Sequence, residues 1–161
     1  MAYLRASLVA QLVLALYFQA VVWFPLGAWN DQPGKRLIEV VLSGEAPVAA
    51  FGFAVVMLLP LWLFALAYWR RWFWLMWLGL FGYGAWAAMQ VQSWWIPYFF
   101  GADQRALHNQ DVLGRTLKIL PSFGGHPAPD AMHFVLDVLL FAVVTLTFVG
   151  LLKRRRDLVT P

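Results

Sequence analysis

The sequence predicts an all-α fold, an integral membrane four-helix bundle that forms one membrane domain over residues 1–161. Of these residues, 62% are hydrophobic and 12% are charged, whereas soluble domains have roughly 45–50% apolar and about 25% charged residues. So short a chain cannot enclose that much apolar surface in a water-soluble core, and we expect the surplus to face lipid. The positions of long apolar segments and of basic residues lead to the same fold class.

Four apolar segments are long enough to be transmembrane helices, which need roughly 20 residues to cross the hydrocarbon layer. They cover residues 8–26, 48–69, 73–96 and 131–152. The first apolar run is longer than the core of a signal peptide, which has about 7–15 residues, and no small-residue cleavage site follows it. We therefore expect it to be a retained helix.

Basic residues lie at the ends of these segments and predict their orientation. Arg5 precedes the first span, Arg70 and Arg71 separate the second from the third, and residues 153–156 follow the fourth. Lys and Arg in short loops favour the cytoplasmic side. Four spans place all three groups on that side, which predicts a multi-pass protein of the cytoplasmic (inner) membrane with both termini in the cytoplasm.

Both longer loops, residues 27–47 and 97–130, are then extracytoplasmic, and we expect each to carry a short interfacial helix. In the first, residues 35–42 combine charge with an apolar run too short to span. In the second, Asp103 is placed to cap a helix that Pro121 ends. The apolar face of that predicted helix consists of Ala106, Leu113, Leu117 and Leu120.

Small and polar residues recur within the spans. Ser7, Gln11, Ala15 and Gln19 form a narrow stripe at four-residue spacing on the first helix, and Pro60 lies in the second. The third helix contributes the small residues Gly79, Gly82, Gly84, Ala85 and Ala88. Such residues permit close helix approach, so we interpret them as packing positions.

The start of the fourth span carries the densest group of ionisable residues. Pro129 suits the first turn of a helix, and Asp130, His133 and Asp137 follow at i, i+3 and i+7. Their side chains are expected on one face of the helix. Ionisable groups in a membrane are costly and usually face the bundle interior.

Other helices are predicted to bring polar groups to the same depth. At 1.5 Å per residue, Asp137 lies about 9 Å below the start of its helix, and Gln90 and Gln19 lie at a similar depth below the outer ends of theirs. Trp94 opens a dense aromatic run at residues 94–100 that is able to contribute to a ligand site. The prediction is an outward-facing pocket that contains these residues.

Three hypotheses explain this polar group. His133 and Asp137 hold the bundle together by hydrogen bonds, or they bind, sense or transport a small molecule or ion. The third is a divalent metal site for Zn, Fe or Mn on His126, Asp130 and His133. With Asp137 as base, that site would make a membrane-embedded hydrolase or oxidoreductase.

The favoured hypothesis is non-enzymatic binding, sensing or transport of a small molecule or ion, with the metal-dependent enzyme and an accessory subunit of a membrane complex as alternatives. The chain has no Cys, which excludes disulfides and thiol chemistry. Its net charge of +4 is explained by the basic groups at the span ends, so no nucleic-acid partner is expected. Expected partners are the lipid bilayer and the ligand. A single four-helix bundle has little room for a transport pathway, so further copies of the chain or another membrane protein are also expected partners.

Overall fold

The computed structural model describes residues 2–31, 37–44, 47–101, 115–122, 124 and 126–157. The regular elements of these residues are all helices, and one isolated backbone bridge outside the helices joins Lys118 to Asp130. The helices are α1 (Ala2–Trp23), α2 (Leu37–Leu42), α3 (Pro47–Arg70), α4 (Phe73–Gln90), α5 (Ile96–Phe100) and α6 (Ala131–Asp157). The predicted all-α class is thus confirmed for the described chain.

Two of these helices are long and apolar enough to cross a membrane. One is α1, and the other is the segment Ala131–Arg154 of α6. The second half of α3, Leu58–Arg70, is a shorter apolar helix. Length and composition alone make these helices candidates for membrane spans, which is the part of the sequence-based fold prediction that the structure supports.

The four long helices pack around one core in the ring order α1, α3, α4, α6. Helix α6 makes its most extensive contacts with α1 and also packs against α4, while α3 contacts both α1 and α4. Three apolar clusters follow one another along the bundle. Leu4 and Met76 belong to the first, Leu14 and Leu140 to the second, and Met132 to the third, next to the start of α6.

The helical path of α4 continues beyond its predicted end at residue 96. A π-helical turn, Val91–Trp95, joins α4 to α5, so that the path runs on to Phe100. Pro97 has no backbone N–H and cannot donate to the preceding turn, which is consistent with an irregular helix immediately before it. Gly101, at φ 105°, then ends α5 in a conformation that suits glycine.

The two longer connections differ in how they match the sequence. Helix α2 lies within the predicted helix at residues 35–42. In the second connection, however, Leu117 and Leu120 are not helical, because residues 117–119 instead pair with the backbone before α6. The rest of that predicted helix, including Asp103, lies outside the described residues.

Candidate functional site

Asp130 is the residue immediately before α6, and its side chain caps the helix. The carboxyl oxygen Oδ1 accepts the backbone N–H of His133 at 2.8 Å. An N-cap of this kind satisfies one of the backbone donors that a first helical turn leaves open. Pro129 is not in the first turn, where its sequence position predicts it, but lies before the helix, where its carbonyl accepts the N–H of Ile119 at 3.2 Å.

The same carboxyl group orients the imidazole of His133. Nδ1 of His133 lies 3.0 Å from Oδ1 and 2.9 Å from Oδ2 of Asp130. Because both oxygens are acceptors, this contact favours the hydrogen on Nδ1 and leaves Nε2 as the acceptor of the neutral ring. The Asp130 side chain is fully buried, while 16% of the His133 side chain is exposed. Asp130 therefore lies behind the imidazole and His133 is the more accessible partner.

Backbone pairing fixes the position of Asp130. The N–H of Ala131 donates to the carbonyl of Leu117 at 2.8 Å, and the N–H of Leu117 donates to the carbonyl of Ala28 at 2.7 Å. The connection before α6 is thus tied both to the start of that helix and to the turn after α1. These bonds explain why Asp130 is buried although no helix contains it.

The charges around Asp130 favour its ionised form. Burial by itself would raise the pKa of the Asp130 carboxyl, but hydrogen bonds and charge from His133, with the charge of Lys118, leave that pKa below its ordinary value. Burial lowers the pKa of the Lys118 ammonium, and the charge of Asp130 acts in the opposite direction. Asp130 is accordingly a carboxylate at neutral pH.

The π-helical turn brings two consecutive tryptophans to α6. The Trp94 ring lies against the His133 ring, with 4.0 Å between the centroids and 30° between the planes. The indole N–H of Trp95 donates to Oδ2 of Asp137 at 2.7 Å. His133 and Asp137 are one helical turn apart, so both tryptophans contact the same face of α6. The widened turn explains how adjacent residues reach one face.

Asp137 has hydrogen-bonding capacity that the described residues do not use. Its side chain is buried, with 4% of the residue exposed, and Oδ1 has no hydrogen-bond partner in the described part of the chain. A buried acceptor without a donor costs about 1–3 kcal/mol. A buried carboxyl oxygen of this kind, beside an oriented imidazole, is typical of a site that binds an ion or another ligand.

The two predicted glutamines occupy different environments. Gln90 is buried on α4, one turn from Ala87 and on the same face as Trp94, which places it near the level of His133 and Asp137. Gln19 is half-buried, and its Oε1 accepts the indole N–H of Trp23 at 2.8 Å within α1. The structure thus places Gln90 at the level of the site and engages Gln19 with its own helix.

His126 does not join Asp130 and His133. Its Nδ1 lies 2.8 Å from the carbonyl oxygen of Tyr98, at the end of α5. Among the described residues, no group of three His, Asp or Glu side chains is arranged to hold a metal ion. The metal site on these residues, with Zn, Fe or Mn, stays a prediction without support from the described geometry.

Several residues that build this end of the bundle are not predictable from the sequence pattern. Trp95 is the donor to Asp137, and the hydroxyl of Tyr17 donates to the carbonyl of Met132 at 2.8 Å while it accepts the indole N–H of Trp29 at 3.0 Å. Asn30 closes the end of α1 by donating to the carbonyls of Val21 and Phe24. The sequence offered one usable signal, the polar side chain of Tyr17 within an apolar span.

A second polar network crosses the bundle farther along, and its members satisfy one another. The hydroxyls of Ser7 and Thr147 are 2.6 Å apart, and Nε2 of Gln11 donates to Oγ of Ser7 at 3.2 Å. The hydroxyl of Tyr83 donates to Oε1 of Gln11 at 3.2 Å. This network links α1, α4 and α6 in the way expected of hydrogen bonds that hold a bundle together.

The two networks therefore differ in the hydrogen-bonding capacity that their side chains leave unused. In the network of Ser7 and Thr147, each side chain has a hydrogen-bond partner. At the start of α6, Asp137 Oδ1 has no donor in the described ranges of the chain, and Nε2 of neutral His133 is an acceptor. Two acceptors one helical turn apart suit a proton or a ligand with hydrogen-bond donors.

No family model, curated protein or solved structure matches the chain.

Proposed function

We propose that the chain is a four-span protein of the inner membrane in which α1, α3, α6 and the path from α4 to α5 cross the bilayer. The main support is the large number of apolar side chains that face outward. Trp62 of α3 is 67% exposed and Phe81 of α4 is 72% exposed. Only 17% of the apolar window of α1 is buried, although α1 packs closely against α6. Outward apolar faces of this kind suit contact with lipid.

The proposed orientation places both termini in the cytoplasm. Arg5 donates to the hydroxyl of Tyr68 at 3.2 Å, and Lys153 donates to the hydroxyl of Tyr3 at 3.1 Å. The start of α1 and the ends of α3 and α6 therefore meet at one end of the bundle, together with the basic turn at Arg70 and Arg71. Because these basic residues lie together at a single end of the bundle, they support the assignment of that end to the cytoplasmic side.

At the opposite end, we propose a binding site for a small cation or another ligand that carries several hydrogen-bond donors. The observation that supports this most directly is the buried Oδ1 of Asp137, which has no hydrogen-bond partner among the residues that the structure describes. His133, oriented by Asp130, adds a second acceptor at Nε2. The electron-rich face of the Trp94 ring, which lies against His133, favours a positively charged ligand nearby. Binding of such a ligand satisfies a carboxyl group that the fold leaves open.

Uptake of a proton is part of this proposal. A protonated His133 would still donate from Nδ1 to the carboxylate of Asp130 and would also donate from Nε2. A protonated His133 no longer offers an acceptor at Nε2. Protonation and cation binding at this site are therefore expected to compete, which makes ligand binding pH-dependent.

The experiment is a ligand-dependent thermal-shift measurement on the full chain in detergent. The probes are the chlorides of methylammonium, guanidinium, zinc, iron and manganese at constant sodium concentration, and the anionic control replaces sodium chloride by sodium acetate. We expect at least one cationic probe to raise the melting temperature at pH 8 and to do so less at pH 5. The Asp137→Asn variant should lose that response, because the amide supplies its own donors to the site.

The matched control is Thr147→Val, which removes a buried polar group from the satisfied network of the same helix. This variant should melt at a lower temperature yet keep the full ligand response. Equal ligand responses in Asp137→Asn and in the unmodified chain would refute the binding site. A response to a metal probe that also requires His126 would replace it with the metal site predicted from the sequence.

A further inference from the structure

A large apolar cavity lies away from the His133 and Asp137 site, between α1, α3 and α4. Its volume is about 590 Å³, and its walls include Phe18 of α1, Leu63 of α3 and Met89 of α4. Ligand pockets usually have volumes of about 300–1,000 Å³, with mostly apolar walls and a few polar groups. In size and chemistry, this cavity matches such a pocket.

Two glycines of α4 make room for the cavity. Gly79 and Gly82 both line it, and a Cβ atom on Gly82 would meet no atom within 4 Å. A Cβ on Gly79 would meet Phe64 at an ordinary contact distance of 3.6 Å. The space beside Gly82 is thus open because the residue has no side chain, so a large side chain there would extend into the cavity.

Two polar side chains interrupt the apolar wall. Gln11 and Tyr83 line the cavity and are bonded to each other, with the Tyr83 hydroxyl as donor to Oε1 of Gln11. Gln11 Nε2 carries two hydrogens, of which one is donated to Ser7. The Tyr83 oxygen also has lone pairs free to accept a hydrogen bond. The wall therefore offers one N–H donor and one hydroxyl acceptor.

The depth of these groups restricts the ligand. Gln11 lies near the middle of α1 (Ala2–Trp23), and Tyr83 lies near the middle of α4 (Phe73–Gln90). In the proposed membrane orientation, both belong to the centre of the hydrocarbon layer, where a charged group is costly. A phospholipid headgroup is therefore excluded from contact with them. The group that meets Gln11 or Tyr83 must be uncharged.

We propose that this cavity binds a neutral, membrane-dissolved ligand that has a long apolar chain and at least one carbonyl or hydroxyl group. The carbonyl accepts the free N–H of Gln11, or the hydroxyl donates to the oxygen of Tyr83, while the chain lies along the space beside Gly79 and Gly82. The ligand enters sideways from the lipid, since Leu59 and Leu78 line the cavity and are more than half exposed. This inference rests on the membrane embedding proposed above.

The test is native mass spectrometry of the full chain in detergent with decyl benzoquinone as the carbonyl probe. We expect a one-to-one adduct whose apparent affinity falls at least tenfold in Gly82→Leu, because the new side chain fills the space. The control is Gly84→Leu, which also places leucine at an unobstructed helical glycine but does not line the cavity. Its affinity should equal that of the unmodified chain.

The hydrogen bond is tested with Gln11→Leu and a second probe, decylbenzene, which lacks the carbonyl. We expect Gln11→Leu to weaken the benzoquinone adduct about tenfold, the effect of one hydrogen bond of about 1.4 kcal/mol, and to leave decylbenzene unchanged. If Gln11→Leu does not fold, the two glycine variants still decide the matter. Equal binding by both glycine variants, or an adduct with the mass of phospholipid or of a second copy, overturns the proposal.

Extraction from membranes tests the membrane embedding separately from the cavity ligand. Release of the chain from membranes by alkaline carbonate, without detergent, would contradict the membrane embedding and with it both proposals. A chain that requires detergent for extraction, but whose benzoquinone adduct is insensitive to Gly82→Leu, would overturn the cavity ligand alone.

Discussion

The indole N–H of Trp95 donates to Oδ2 of Asp137 across 2.7 Å, and this bond joins the π-helical turn to α6. It is the one hydrogen bond of the Asp137 side chain among the described residues, since Oδ1 is unpaired. Trp95→Phe keeps an aromatic ring but leaves the buried carboxyl group without any donor. We expect this change to lower the free energy of unfolding by about 1–3 kcal/mol, measured by denaturant titration in micelles.

The control for this prediction compares the loss of one partner of the buried hydrogen bond with the loss of both partners. Removing both partners, in Trp95→Phe with Asp137→Leu, should recover most of the lost stability, because no buried polar group is then left unpaired. Trp74→Phe is the matched single change at an exposed tryptophan and should cost less than about 0.5 kcal/mol. A double variant that is no more stable than Trp95→Phe would contradict this account.

Asp130 is predicted to stabilise the first turn of α6. Asp130→Ala removes the N-cap of the His133 backbone and the partner of the His133 ring. A lost cap costs about 0.5–2 kcal/mol, and the lost ring contact adds to it, so we expect a total of about 1–3 kcal/mol. Asp31→Ala removes an exposed carboxyl group and serves as the control. Equal melting temperatures of the two variants would argue against the cap.

The lowered pKa of Asp130 predicts a direction for its pH dependence. A carboxyl whose pKa is lower in the folded than in the unfolded state stabilises the fold above the unfolded value and loses this effect as the pH falls through the folded value. The ordinary value is 3.8. The stability advantage of the unmodified chain over Asp130→Asn should therefore be complete above about pH 5 and shrink below about pH 4. Denaturant titrations of both chains across this pH range measure the difference in their free energies of unfolding. A difference that grows on acidification would contradict the prediction.

Gly150 is predicted to be required for the contact between α6 and α1. A Cβ on Gly150 would lie 2.7 Å from Cδ2 and 3.2 Å from the backbone nitrogen of Leu4. We expect Gly150→Ala to destabilise the fold by about 1–3 kcal/mol through overpacking. Gly84→Ala meets no neighbour and should instead stabilise it by about 0.5–1 kcal/mol through helix propensity. Thermal unfolding of both variants in one detergent makes the comparison, and stabilisation by Gly150→Ala would show that the helices can separate without cost.

The hydroxyls of Ser7 and Thr147 are predicted to be coupled. A double-mutant cycle with Ser7→Ala and Thr147→Val should give an interaction energy of about 0.6–1.7 kcal/mol, from the average to the largest value found for hydrogen bonds between membrane helices. The two residues are 2.6 Å apart at their oxygens and buried. Additive effects of the two changes would mean that this contact contributes nothing net to the association of α1 with α6.

The sequence predicted the helices better than the connection before α6. Apolar runs locate α3 and α6 to within a few residues, because a helix of that composition is already favoured by its own backbone bonding. The interval around Leu117 has helical spacing of apolar residues but is not helical. Backbone bonds to Ala28 and Ala131 compete there, and local spacing carries no information about distant partners.

Within the candidate site, the pair of Asp130 and His133 was predictable and the contacts of Asp137 were not. A spacing of three residues across a helix start brings a cap and its ring partner together without help from the rest of the fold. The bond from Trp95 depends on the rotation of α4 against α6 and on the π-helical turn. Neither is encoded by the apolar pattern around Trp95.

The sequence by itself thus determined the all-helical class, the apolar segments and the shared face of His133 and Asp137, since all of these follow from composition and helical periodicity. The tertiary structure alone decided that His126 lies against Tyr98, and that Asp137 keeps one oxygen without a partner among the described residues. The physical reason is that such contacts depend on helix rotation and axial shift. Those are fixed by the packing of all four long helices at once, as where Leu4 fits against Gly150.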